Sequence, residues 1–163
     1  MNLDLTYSAD LYRPNVGLCV VNEARQILSA KRTGKFAGMF QMPQGGIDEN
    51  EDVLTAAYRE LWEETGIEQA ATRYQAMLGG WLAYDYPNGL PSERGHIGQQ
   101  QKWVLLSYDG ALPVSEKIPH HELHSFCWMP AQELLGKCAD FRRPIYEQVF
   151  EGFGLLSCKN ARS

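Results

Sequence analysis

Long apolar runs are missing from this chain. The longest, residues 16–21, falls far short of the ~20 residues that a membrane-spanning helix needs. The N-terminal stretch has neither a cationic start leading into an apolar core nor an Arg-rich presequence pattern, so no export is expected and a cytoplasmic location is. Cysteine is sparse. Cys19, Cys127, Cys138 and Cys158 lie far apart with no C-x-x-C pair, which suits free thiols in a reducing compartment. Cys19 and Cys127 fall in strand-like runs and read as small core residues. Positive charge is in deficit: 15 Lys and Arg against 20 Asp and Glu leave a net charge of −5. That balance excludes gripping long nucleic acid through a general basic field, whereas a small anion or the 5′ end of an RNA needs only local cations and a metal. No G-x-x-x-x-G-K-[ST] loop, G-x-G-x-x-G turn or G-x-S-x-G elbow occurs, which removes P-loop, Rossmann and serine hydrolase readings.

What is present is an ordinary globular composition, 44% hydrophobic and 21% charged over 163 residues, without repeats or low-complexity segments. One domain is expected over residues 1–163, with a frayed tail at about 157–163. The informative stretch runs over residues 45–67. Its middle reads as a helix with Asn50 as N-cap, Glu51 and Asp52 at the positive end of the dipole, and Gly66 as the stop. Val53, Ala56, Ala57 and Leu61 form its apolar stripe, which should pack on a sheet. Glu60, Glu63 and Glu64 share another face, where three carboxylates repel one another and Arg59 can neutralise only part of the charge. A solvated acidic face is the plainer reading of the trio alone. A hard divalent cation such as Mg²⁺ or Mn²⁺ would also resolve the conflict, because carboxylate oxygen is its preferred ligand.

Gly45, Glu51, Arg59-Glu60-Leu61, Glu63-Glu64 and Gly66-Ile67 stand at the fixed spacing of the Nudix hydrolase signature, and the stretch resembles it without a departure. The resemblance implies an α/β fold: an α/β/α sandwich with a mixed sheet and a metal-binding loop-helix-loop. It further implies Mg²⁺, with Mn²⁺ as substitute, held by Glu60, Glu63, Glu64 and Gly45. The activity implied is cleavage of a phosphoanhydride in a nucleoside diphosphate derivative, with Glu51 and Arg59 as orienting groups.

Around the signature, residues 16–21 read as a buried strand, 22–26 as a turn and 27–32 as its hairpin partner, followed by a Gly-rich loop at 33–38. Residues 39–46 read as a short strand stopped by Pro43. Residues 74–78 and 81–84 read as strands joined at Gly79-Gly80 by a turn or bulge, 85–99 as an irregular functional loop, and 101–108 and 126–129 as strands. Short helices follow at 131–135 and 143–152, the second with Pro144 in its first turn and Ile145, Val149 and Phe153 as its stripe. His120-His121-Glu122-Leu123-His124 approaches the zinc signature H-E-x-x-H, but its spacing and the strand that follows argue against zinc.

The likeness extends over Tyr12-Arg13-Pro14-Asn15, Pro43-Gln44-Gly45-Gly46, Trp81-Leu82, Tyr84-Asp85, Gln101-Lys102-Trp103 and Phe141-Arg142-Arg143-Pro144. There the chain resembles the Nudix branch of asymmetrical diadenosine tetraphosphate hydrolases and bacterial RNA pyrophosphohydrolases. That branch implies Tyr84 and Phe141 as base-stacking residues, with core packing as the plainer alternative for each. It implies Arg13, Lys31, Arg32, Lys35, Gln44 and Lys102 along the substrate, and Glu122 as a further metal ligand or base. Phe40 stands where relatives commonly carry Trp, and Glu122-Leu123 where they carry Glu-Phe. The expected partner is a dinucleoside polyphosphate or a 5′-triphosphorylated RNA end, the expected state a monomer or weak homodimer. A non-cleaving nucleotide or RNA-binding module and a sanitising nucleoside triphosphatase are the alternatives.

Overall fold

The computed structural model describes residues 3–89, 91–118 and 122–156. Its spine is a parallel pair, β1 (Tyr12–Val21) against β7 (Gly98–Ser107), in register from Tyr12 opposite Gly98 to Val21 opposite Ser107. β2 (Ile27–Arg32) pairs antiparallel with β1, with β3 (Phe40–Gln41) and with β8 (Leu123–Met129). β4 (Gln44–Gly46) pairs antiparallel with β1, while β5 (Arg73–Met77) and β6 (Leu82–Asp85) both pair with β7. The sheet is therefore mixed, as the resemblance implied.

Alternation along β1 builds the two faces. Val16, Leu18 and Val20 point to one side and pack with Ala56, Ala57 and Leu61 of α1 (Val53–Thr65). Cys19 and Val21 point to the other, where α2 (Ala131–Lys137) and α3 (Arg143–Gly152) supply Leu134, Ile145, Val149 and Phe150. Among the described residues, three α-helices thus sandwich one sheet. Cys19 is fully buried and Cys127 partly so, both packed in the second layer; Cys158 lies outside the described residues, as does the 157–163 tail. Among the described residues no helix is long and apolar enough to cross a membrane.

Several boundaries differ from the sequence reading, each for a physical reason. The N-cap of α1 is Asp52, not Asn50: Asp52 has the extended backbone a cap requires (φ −80°, ψ 164°), and its Oδ1 accepts from Thr55 N at 2.8 Å. Asn50 instead takes the left-handed conformation (φ 62°) in the preceding turn. Gly66 caps the other end in the left-handed region (φ 73°) as expected. β1 starts at Tyr12 and β7 at Gly98, earlier than the apolar runs suggest, because each strand supplies the other's backbone partners. Residues 39–46 form two short strands rather than one, with Pro43, which has no N–H to donate, between them. β5 and β6 do not pair with each other; both lie along β7. Phe153 stands at the C-cap of α3 and packs against the core as expected, while Tyr146 and Phe150 join Ile145 and Val149 as the buried residues of the helix.

Candidate active site

The signature glycines are spaces for side chains. A Cβ on Gly45 would overlap the Glu60 carboxylate, and one on Gly46 would overlap the Arg13 guanidinium. Glu60 can therefore lie against β4, only 8% exposed, within α1's sheet-facing side. Arg59 governs the neighbouring acids. Its Nε and Nη2 both reach Glu51 at 2.8 Å, Nη2 also donates to the Gly46 carbonyl at 2.8 Å, and Nη1 donates to Glu60 Oε1 at 2.8 Å and Glu63 Oε2 at 3.2 Å. The guanidinium holds the Glu51 carboxyl below the usual carboxylate range. Burial pushes Glu60 upward, with Arg59 partly opposing. Burial pushes Glu64 up to about 7, and the carboxylates of Glu122 and Glu60 add to it.

A polar cleft of about 280 Å³ lies beside Glu60 and Glu64, with Arg13, Arg32, Gln44 and Glu122 among its walls. Glu122 comes from the segment before β8, and its Oε2 lies 3.9 Å from Arg32 Nη2. Among the described residues no three acids already stand close enough to share an ion, since Arg59 draws on Glu60 and Glu63. The donor set nevertheless suits a hard divalent cation. The Gly45 cradle keeps Glu60 against the backbone, and Glu64 faces mutual carboxylate repulsion that a cation relieves.

Aromatic rings form the wall beyond. Tyr84 lies 5.5 Å from Phe141, ring centre to ring centre, and Phe36 lies 5.0 Å from Phe141 on another side. Arg142, 6% exposed, stacks its guanidinium carbon 4.9 Å from the Phe141 ring and donates to Gln44 Oε1 at 2.9 Å. Amides make the floor. Gln101 Nε2 contacts Asn15 Oδ1 (2.9 Å), Gln44 Oε1 (3.0 Å) and Gln99 Oε1 (3.4 Å), and Tyr84 OH donates to Gln99 Oε1 at 2.8 Å. These contacts satisfy buried polar groups and fix the side chains that face the cleft.

The structure thus gathers Glu60, Glu64, Glu122, Arg13, Arg32, Gln44 and Gly45 around one cleft, with Glu63 beside it through Arg59; Tyr84 and Phe141 stand outside its lining and join it through Gln99, which accepts from Tyr84 OH, and through Gln44, which accepts from the Arg142 stacked on Phe141. It does not bring Lys102 there. The Lys102 ammonium donates to the Gly79 carbonyl at 2.6 Å and stacks over Trp81, because alternation along β7 sends it to the face opposite Gln101. Lys31 sits 5.3 Å over Phe40 on the α2 side, and Lys35 is exposed in the loop after β2. His120 and His121 lie outside the described residues, and His124 Nδ1 lies 2.9 Å from Ser125 Oγ. Sequence reasoning missed Asn15, Gln99, Arg142 and Phe36 as site residues. Asn15 and Arg142 stood inside quoted motifs; Gln99 and Phe36 carried no signal, since both lie in stretches read as loops.

The chain matches the NUDIX domain model over residues 11–149 and belongs to that family. It is 36% identical over 146 residues to an RNA pyrophosphohydrolase of Roseobacter denitrificans, covering 87% of this chain and 91% of that protein. It is 34% identical over 170 residues to Nudix hydrolase 25 of Arabidopsis thaliana, covering 93% and 95%. In fold it is similar to an Ap4A hydrolase of C. elegans, with a TM-score of 0.65 at 16% identity over 87% of this chain and 98% of that one. Members of the Nudix family generally use divalent metals such as Mg²⁺.

Proposed function

We propose that this protein is a Mg²⁺-dependent phosphoanhydride hydrolase that cleaves dinucleoside polyphosphates, diadenosine tetraphosphate to ATP and AMP, and releases pyrophosphate from 5′-triphosphorylated RNA at the same site. One observation carries the reading: Glu60, Glu64 and Glu122 face Arg13 and Arg32 across a single cleft. Acids for a cation and cations for phosphates occur together there, as anhydride cleavage requires.

Glu60, Glu63, Glu64 and Glu122, with the Gly45 carbonyl, would hold Mg²⁺, or Mn²⁺ in its place. Bound there, the cation withdraws negative charge from the phosphate oxygens under attack. Arg13 and Arg32 pair with phosphate oxygens and set the chain across the cleft. Glu64 or Glu122 takes the proton from the attacking water. Tyr84 and Phe141 stack on a base, which accepts any nucleobase because every base has a flat face. Arg59 acts at one remove: it aims Glu60 and Glu63 and ties both to Glu51. The protein acts in the cytoplasm as one domain, monomeric or weakly dimeric.

A second reading makes the RNA 5′ end the main substrate. It is favoured by the Roseobacter relative, an RNA pyrophosphohydrolase that aligns over most of both chains. The two are separated by offering purified protein and Mg²⁺ equal concentrations of diadenosine tetraphosphate and a short 5′-triphosphorylated RNA, with products resolved by anion exchange. ATP and AMP forming faster than pyrophosphate supports the first reading and the reverse supports the second. No product from either overturns both in favour of a non-cleaving or sanitising protein.

A further inference from the structure

Most apolar side chains of α1 are covered by the sheet, but Trp62 is 54% exposed on the helix's charged side, next to Glu63. An indole left half in water forgoes more burial than any other side chain, so its place on a face of acids asks for an occupant. Trp62 forms one wall of a cavity of about 550 Å³, a size within the ~300–1,000 Å³ common for small-molecule sites. Ile118, only 5% exposed, presents an edge to the same cavity beside the cap Gly66: a Cβ added at Gly66 would sit 3.8 Å from Ile118 Cγ1. Lys117, from the 3-10 turn Ser115–Lys117, supplies a cation at the wall.

This cavity and the polar cleft share two residues, Glu64 and Glu122. The acids at the centre of the reaction therefore stand between two chambers. One is bordered by Gln99 and Gln44, which tie it to the rings of Tyr84 and Phe141 through Tyr84 OH and Arg142; the other is walled by the ring of Trp62. A polyphosphate crossing Glu64 has one end directed to each. We propose that Trp62, Ile118 and Lys117 form a second nucleoside subsite, which receives the far nucleoside of a dinucleoside polyphosphate while the near one occupies Tyr84 and Phe141. The indole stacks on the base, Ile118 packs beneath, and the Lys117 ammonium pairs with the phosphate next to that nucleoside. This proposal rests on the reading of the cleft as a polyphosphate site.

Equilibrium binding tests it without turnover. Isothermal titration calorimetry in Mg²⁺ compares a methylene-bridged, non-hydrolysable diadenosine tetraphosphate with the matching methylene-bridged adenosine 5′-tetraphosphate, which lacks the second nucleoside. The intact protein is expected to bind the dinucleoside about tenfold or more tightly than the mononucleoside, the scale of one base stacked on an aromatic ring. Trp62→Ala removes that preference and leaves the mononucleoside affinity unchanged, while Trp62→Phe keeps most of it. Equal binding of the two analogues by the intact protein overturns the proposal, as does a preference that survives Trp62→Ala. A dimer in sedimentation velocity that Trp62→Ala dissolves also overturns it, assigning the indole to contact between copies. Failure of the intact protein to bind either analogue defeats the polyphosphate reading itself, and the subsite with it.

Discussion

Arg59 holds Glu51 in a two-pronged pair, Nε to Oε2 and Nη2 to Oε1, each 2.8 Å long. Glu51 Oε1 also accepts from the Asp48 backbone N–H at 3.0 Å, so the pair closes the loop between β4 and α1. Arg59→Ala leaves a largely buried carboxylate without its partner and is expected to cost about 2–4 kcal/mol in urea denaturation. Arg59→Lys recovers little, because an ammonium cannot form the fork. Because Glu51 titrates below its ordinary value when folded, its pairing stabilises the protein above the normal carboxylate pKa and is lost as pH falls below it. Glu51→Gln should flatten that acid limb of the stability curve; an unchanged limb would reject the assignment.

Glu64 titrates in the opposite sense. In metal-free protein its carboxyl is pushed up to about 7. Between the ordinary carboxylate value and 7 the folded state keeps a proton that the unfolded state has lost, so stability falls as pH rises through that window. The expected loss is about 1–3 kcal/mol after allowance for solvent screening. Glu64→Gln should therefore raise the melting temperature of chelator-treated protein at pH 8 while lowering kcat at least ~10²-fold. Thermal melts with EDTA and steady-state kinetics check the two halves separately.

Gly45→Ala separates folding from catalysis. The added methyl competes with the far end of the Glu60 side chain, which can swing aside, so the fold should survive. The displaced carboxylate should lower kcat by about tenfold or more, on the scale of a misplaced site group. A near-normal melting temperature with near-normal kcat would show that the Glu60 position is immaterial to turnover.

Arg32 and Lys102 make a matched pair of cations with different addresses. Arg32 opens into the cleft, while Lys102 is held by the Gly79 carbonyl on the opposite face of β7. Arg32→Ala is expected to raise KM about tenfold or more, the cost of a lost charged hydrogen bond. Lys102→Ala should leave KM within about twofold and instead lower stability slightly. The reverse ranking in steady-state kinetics would restore Lys102 to the phosphate track.

Most of the site's acids were legible because helix spacing converts sequence directly into a shared face: Glu60, Glu63 and Glu64 needed only α1 to be a helix. The cap was not, because residues 50–52 offer Asn, Glu and Asp in succession and only the backbone angles choose among them. Lys102 misled because the motif fixes its position along β7 but not the face on which its long stem ends. The amide floor was least legible. Gln99 read as the end of a loop and Gln101 as the first residue of a strand, yet β7 takes in Gln99, Gln100 and Gln101 and buries all three, since each amide finds partners the linear sequence does not reveal. Pairings between distant segments also decided where β1 and β7 begin, and those belong to the fold rather than to either segment.

The parallel pairing of β1 with β7 also sets an order of assembly. During synthesis α1 and its glycine loop leave the ribosome well before β7 does, yet Gln99, which lines the cleft, and Gln101, which donates to Gln44 in its wall, reside on β7. Closing so long a loop is entropically slow and precedes any reward from the contacts it permits. The nascent chain therefore carries its acidic helix before the surroundings that make it useful, and competence arrives late, when the central strand docks.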